Sequence, residues 1–133
     1  MLLKRTVTLK VVVTESFKND YLAELKKATE EINTAQQQLQ FQADRVISEV
    51  ARTNLDQATA LRRQFESERQ KQDRARAEVL AEIQKAEQLE MGSEFERGSL
   101  ESLVEVAVGD SLEAKMGQGE ILIKDGTVVE IRD

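Results

Sequence analysis

Apolar and polar residues alternate along Leu3–Thr14, lose that period for the next seventy-six residues, and regain it near the end of the chain. In the first stretch Leu3, Val7, Leu9, Val11 and Val13 fall on one face. Lys4, Thr6, Thr8, Lys10 and Thr14 fall mainly on the other. The alternation and the β-branched content predict a half-buried strand. Arg5 interrupts the apolar face and is expected at its edge. A lone strand leaves its backbone donors and acceptors unmet, so it must pair with something distant in the chain.

Glu15 to Glu90 contains neither glycine nor proline and is rich in Gln, Glu, Arg, Lys, Ala and Leu, which predicts very long helix. Thr14 or Ser16 is the expected N-cap. Leu25, Ala28, Ile32, Ala35, Leu39, Gln42 and Val46 recur at threes and fours, as in a heptad seam. Ala58, Leu61, Phe65, Gln72, Ala75, Val79, Ile83 and Ala86 form a second seam, out of phase with the first, which implies a stutter or a break. Arg52-Thr53-Asn54-Leu55-Asp56 is the expected break, with Asn54 left-handed at the end of one helix and Asp56 capping the next. Two nearly equal arms of ~55 Å would then return the chain to its start. The alternative is one unbroken helix whose first strand pairs with another subunit.

Gly92 is expected to end the helical region, and all six glycines lie from there onward. Leu103–Val108 predicts a strand and Gly109-Asp110 its turn. Ser111–Gly119 reads as a mobile loop. Glu120–Asp133 reads as a hairpin about Lys124-Asp125-Gly126. A three-residue loop pairing Ile123 with Thr127 and Ile121 with Val129 keeps Ile121, Ile123, Val129 and Ile131 on one face. The fold expected is α+β: a long antiparallel coiled-coil helical hairpin (15–90, turn near 53–56) inserted between an N-terminal strand and a small C-terminal antiparallel β-sheet or barrel. Residues 1–14 plus 91–133 would form the β-domain.

Composition removes several chemistries. The chain has no Cys, His, Pro or Trp, so structural zinc sites, thiol nucleophiles, imidazole bases and redox pairs are removed. No stretch approaches the roughly 18 apolar residues of a membrane span. Lys4 and Arg5 precede an apolar run as in a signal peptide, but Lys10 breaks that run and no cleavage site follows. A cytoplasmic protein is expected. The net charge of −6 lies entirely in residues 91–133, whereas the first 14 residues carry three cations and no acid. The basic leading strand and the acidic trailing segment are therefore expected to meet.

Gly92-Ser93-Glu94, Glu101–Asp110 (ESLVEVAVGD), Ile121–Arg132 (ILIKDGTVVEIR) and Leu39-Gln40-Phe41-Gln42 resemble the YlqD family of bacterial proteins. The resemblance implies a cytoplasmic protein containing a coiled coil. It brings no activity and no functional residues.

Glu94, Glu96 and Glu101 cluster without the ligand spacing of a calcium loop and read as a solvated acidic turn. Gly117-Gln118-Gly119 lacks the strand and helix that flank a phosphate loop. Arg62, Arg63, Arg69, Lys71, Arg74 and Arg76 could track phosphates, but Glu66, Glu68 and Asp73 lie at pairing offsets. Gln36, Gln37, Gln38, Gln40 and Gln42 read as a hydrated helix face. Phe17, Tyr21, Leu22 and Leu25 are expected opposite Ile83, Ala86 and Leu89 as a core. No catalytic, cofactor-binding or metal-binding residue is assigned, no cofactor is expected, and an enzyme is the least favoured class. The small core predicts a homo-oligomer. The expected function is a non-enzymatic structural or protein-interaction protein, with no membrane and no small-molecule ligand. The alternatives are an RNA- or ribosome-associated factor and a holdase-like chaperone.

Overall fold

The computed structural model describes residues 1–133. Strand β1 (Leu2–Val12) leads into helices α1 (Glu15–Ala51) and α2 (Leu55–Glu87). Strand β2 (Glu94–Glu105), the short helix α3 (Leu112–Met116), and strands β3 (Gly119–Lys124) and β4 (Thr127–Arg132) follow. The fold is α+β, as the pattern predicts. It divides into a sheet unit, Met1–Asn19 with Leu89–Asp133, and a helical unit, Asp20–Gln88.

In the sheet unit the strand order is β2-β1-β3-β4, so the first strand of the chain is an inner one. β1 runs antiparallel to β2, from Leu2 opposite Glu105 to Val12 opposite Glu94. It runs parallel to β3, from Val7 beside Gly119 to Val11 beside Ile123. The sheet is therefore open and mixed, where alternation alone suggested antiparallel pairing or a barrel. The cause is the connection through residues 106–118, which carries the chain past the end of β1 to its other side. That stretch is not loose loop: Ser111 caps α3 by accepting from the Ala114 N–H at 3.3 Å.

Charge supports the central place of β1, since acids from the trailing segment reach it from both sides. Lys4 lies 3.8 Å from Glu101, Lys10 lies 2.9 Å from Glu120, and Arg5 pairs with Asp133. Arg5 is not at the rim. Its side chain is 16% exposed, and its Nε donates to Ser102.

The β3–β4 turn corrects a second expectation. Lys124 pairs with Thr127 across the two-residue loop Asp125-Gly126, both left-handed at φ 48 and 82, as a type I′ turn requires. Ile123 then opposes Val128, Leu122 opposes Glu130, and Ile121 opposes Ile131, which leaves Val129 as a bulge. The bulge restores the apolar phase that a two-residue loop would otherwise invert. Register thus segregates the sheet. Leu3, Val7, Leu9, Val11, Phe95, Leu100, Val104, Ile121, Ile123, Val128 and Ile131 share one face, with Arg5 the ionised strand residue among them. Lys4, Lys10, Glu94, Glu96, Glu101, Glu120, Glu130 and Arg132 share the other.

Thr14 is the N-cap of α1: its Oγ1 accepts from the Phe17 N–H at 3.1 Å and donates to Asp125 at 2.7 Å. The strand pairing continues past β1, because the Val13 N–H donates to Ser93 and the Gly92 N–H donates to Val13, each at 2.8 Å. Phe17 packs on Phe95 with ring centroids 5.8 Å apart, and the Arg97 guanidinium lies over the Phe17 ring at 6.0 Å. Gly92, at φ 84, belongs to this junction and not to the helix C-cap, which is Gln88.

In the helical unit the chain doubles back, as expected of the matched arms. Asn54 plays a different part from the one its type suggests. It is extended, at φ −154, and caps α2 by accepting from the Gln57 N–H at 3.0 Å, while Asp56 sits in the first turn. The seam of α2 holds as read, with Ala58, Leu61, Phe65, Gln72, Ala75, Val79, Ile83 and Ala86 all buried or half-buried. That of α1 shifts by one residue beyond Ile32. Gln36, Ala43 and Ile47 turn inward instead of Ala35, Gln42 and Val46. The inner positions Leu25, Ala28, Ile32, Gln36, Leu39, Ala43, Ile47 and Val50 therefore repeat every eleven residues, nearer the relaxed helical period than a heptad.

Candidate interaction surfaces

Side chains hold the arms in antiparallel register at two levels. Near the root the Tyr21 hydroxyl donates to Glu82 at 3.4 Å. Midway, Gln36 donates to Asp73 at 2.6 Å. Arg76 donates through Nε to Asn33 at 2.9 Å, and also bonds Gln36 and Asp73. This clamp sits where the apolar seam is interrupted, and it fixes which residues face each other. The Gln72 Oε1 nearby is buried with no hydrogen-bond partner.

Beyond the clamp, toward the turn, the arms enclose an open groove of about 470 Å³. Leu39, Ala43, Ile47 and Phe65 supply its apolar lining, and Asp44, Arg62, Glu66 and Arg69 its charges. Phe41 and Leu55 are 70% and 72% exposed on the same half of the hairpin. This half of the hairpin thus exposes apolar side chains bordered by charge.

On the charged face of the sheet, Arg132 gathers three carboxylates. It bonds Glu94 through both Nη atoms at 2.6 and 2.9 Å, Glu120 at 3.2 Å and Glu130 at 2.8 Å. Glu94 and Arg132 come from strands at opposite edges, so their contact bridges the two inner strands, which carry Lys10 and the buried Leu122 on this face. Electrostatics follow the geometry. The Arg132 hydrogen bond, first, and its charge hold the Glu94 carboxyl below its ordinary value. Lys10, then Arg132, do the same to Glu120. The Glu94, Glu130 and Glu120 bonds raise Arg132 in turn.

The residues weighed for chemistry are not drawn together. Glu94 is bound to Arg132 and Glu101 pairs with Lys4, so Glu94, Glu96 and Glu101 do not converge as ligands. Gly117 follows α3 and Gly119 opens β3, with no helix N-terminus after them. Of the basic run, Arg69, Lys71 and Arg76 pair with Glu66, Glu68 and Asp73 at 3.2, 3.3 and 3.4 Å. Of the glutamines, Gln36 belongs to the clamp and Gln40 bonds Asp44 at 2.9 Å, while Gln37, Gln38 and Gln42 are exposed. Spacing missed the clamp because Gln36 scores as a surface residue until Arg76, forty positions away, meets it. No helix is long and apolar enough to cross a membrane.

Among solved structures, the chain is similar to a crystal structure of a protein of unknown function from Synechococcus sp. WH 8102. The TM-score is 0.91 and the identity 26%, over 100% of this chain and 95% of that one. Comparison with curated proteins gives no match. The family model for YlqD protein matches residues 1–132, and so covers both units. By that match, and by the resemblance already visible in its trailing strands, the chain belongs to the YlqD family.

Proposed function

We propose that this is a non-enzymatic, homo-oligomeric structural protein that uses its helical hairpin for contacts with protein partners. The observation that carries the reading is the imbalance of buried and exposed apolar residues. The buried hydrophobic set is Val7, Val11, Val13, Tyr21, Ala43, Ala58, Ala86 and Leu122, three of them alanines. Leu2, Leu100, Leu103, Val128, Val129 and Ile131 of the sheet strands all remain about half exposed or more. A sheet unit of this size rarely stands on so small a core, and the chain has no cysteine for a disulfide staple. Burial against further copies supplies what one chain lacks.

Light scattering coupled to size exclusion tests the reading. The expected mass is a multiple of 15.0 kDa. A mass of 15.0 kDa at every concentration overturns it.

Nucleic-acid binding is the competing reading, favoured by Arg62, Arg63 and Arg74, which make no ion pair. The other three cations of the run are occupied by neighbouring acids, and the chain as a whole is acidic. RNA retention that falls steeply with salt would decide for that alternative.

A further inference from the structure

We propose that β4 is the self-association edge: the β4 strands of two copies pair antiparallel about a two-fold axis at Ile131. The inference rests on the homo-oligomeric reading and names the surface through which it acts.

The sheet has two edges, and the sequence defends them unequally. β2, on one side, carries the four acids Glu94, Glu96, Glu101 and Glu105 against the single cation Arg97, and is bulged at that residue. β4, on the other side, carries no proline and no lysine. Its outward backbone groups have no strand partner in the chain. Its apolar side chains Val128, Val129 and Ile131 are 51%, 52% and 68% exposed. Arg132, its one cation, is turned inward to Glu94 and Glu120 and does not guard the edge. β4 is bulged as well, at Val129, but the stretch after that bulge is an apolar edge with neither lysine nor proline, a template for strand addition.

Charge selects a second copy as the occupant and sets the register. The bulge at Val129 confines regular pairing to the stretch after it. With the axis at Ile131, Glu130 of each copy lies opposite Arg132 of the other, whose Nε makes no bond within its own chain. With the axis moved to Glu130, that carboxylate meets its own copy. The Ile131 register also continues the mainly apolar face of one sheet into that of the next, with Ile131 against Ile131. A closed isologous pair results.

The chain has no native cysteine, which makes the test direct. Ile131→Cys places two thiols opposite each other on paired strands, within the Cα separation a disulfide accepts. Under mild oxidation it should give about ten-fold more covalent dimer than Leu103→Cys, placed on β2, if that register holds. Ile131→Lys, at an exposed position, should halve the scattering mass of a dimer while leaving the circular dichroism spectrum unchanged. An oligomeric wild type with no preference for cross-linking at Ile131, or a folded Ile131→Lys chain that stays oligomeric, overturns the edge assignment alone. A wild type that is monomeric at all concentrations overturns both the assignment and the reading beneath it.

Discussion

Arg132 shows how one side chain can tie the two edges of a sheet together without burial. Its guanidinium, about a third exposed, joins carboxylates from β2, β3 and its own strand. Glu94 and Glu120 are held below the ordinary carboxylate value of 4.5, so the folded chain resists a protonation that the unfolded chain accepts. Their contribution is whole above that value and is lost as the pH falls through and below it. The melting temperature is therefore expected to hold level from neutral pH to about pH 5.5 and then fall, with Arg132→Gln showing a shallower decline. Parallel pH profiles for variant and wild type would remove the cluster as the source. Asn54 makes a second residue-scale case. Asn54→Ala removes the cap of α2 and should cost about 1 kcal/mol of stability, read from urea unfolding of helical signal. Asp56→Ala should cost less, because Asp56 acts only through the helix dipole.

At the scale of elements, the hairpin is held as much by polar contacts as by its seam. Arg76→Ala leaves Asn33, Gln36 and Asp73 without their shared donor and should destabilise the helical unit by about 1–3 kcal/mol in urea unfolding. A loss no larger than that of Arg74→Ala would mean that the clamp is ornamental. The β3–β4 turn gives a matching test on the sheet. Asp125 is the one residue other than glycine at positive φ, so Asp125→Val should lower the melting temperature while Asp125→Gly is tolerated in the turn. Both lose the Thr14 hydrogen bond, so the difference between them isolates backbone conformation.

For the molecule as a whole, the mass and cross-linking measurements above are the decisive observations, because the proposed pairing of β4 edges can exist only between copies. Much of the layout is legible in the chain. The glycine- and proline-free run fixes the helices, the matched lengths on either side of Asn54 imply the return, and the basic start and acidic end imply strand pairing. The candidate surfaces are less legible. Gln36 could not be placed inside from its own neighbourhood, since Ala35 fits a heptad better and only Arg76 draws Gln36 in. Arg5 looked like an edge residue because its partners, Ser102 and Asp133, lie about a hundred residues away. Helix α3 was missed because five residues carry little periodic signal, and its one mark is the cap at Ser111.

What the sequence determines by itself is whatever depends on short-range regularity: helix where no breaker intervenes, strand where β-branched residues alternate, a hairpin where Asp-Gly allows positive φ. Tertiary structure alone decided the parallel pairing of β1 with β3, the bulge at Val129 and the eleven-residue seam. Each is a choice between local arrangements of nearly equal free energy, and contacts with residues remote in the chain tip the balance.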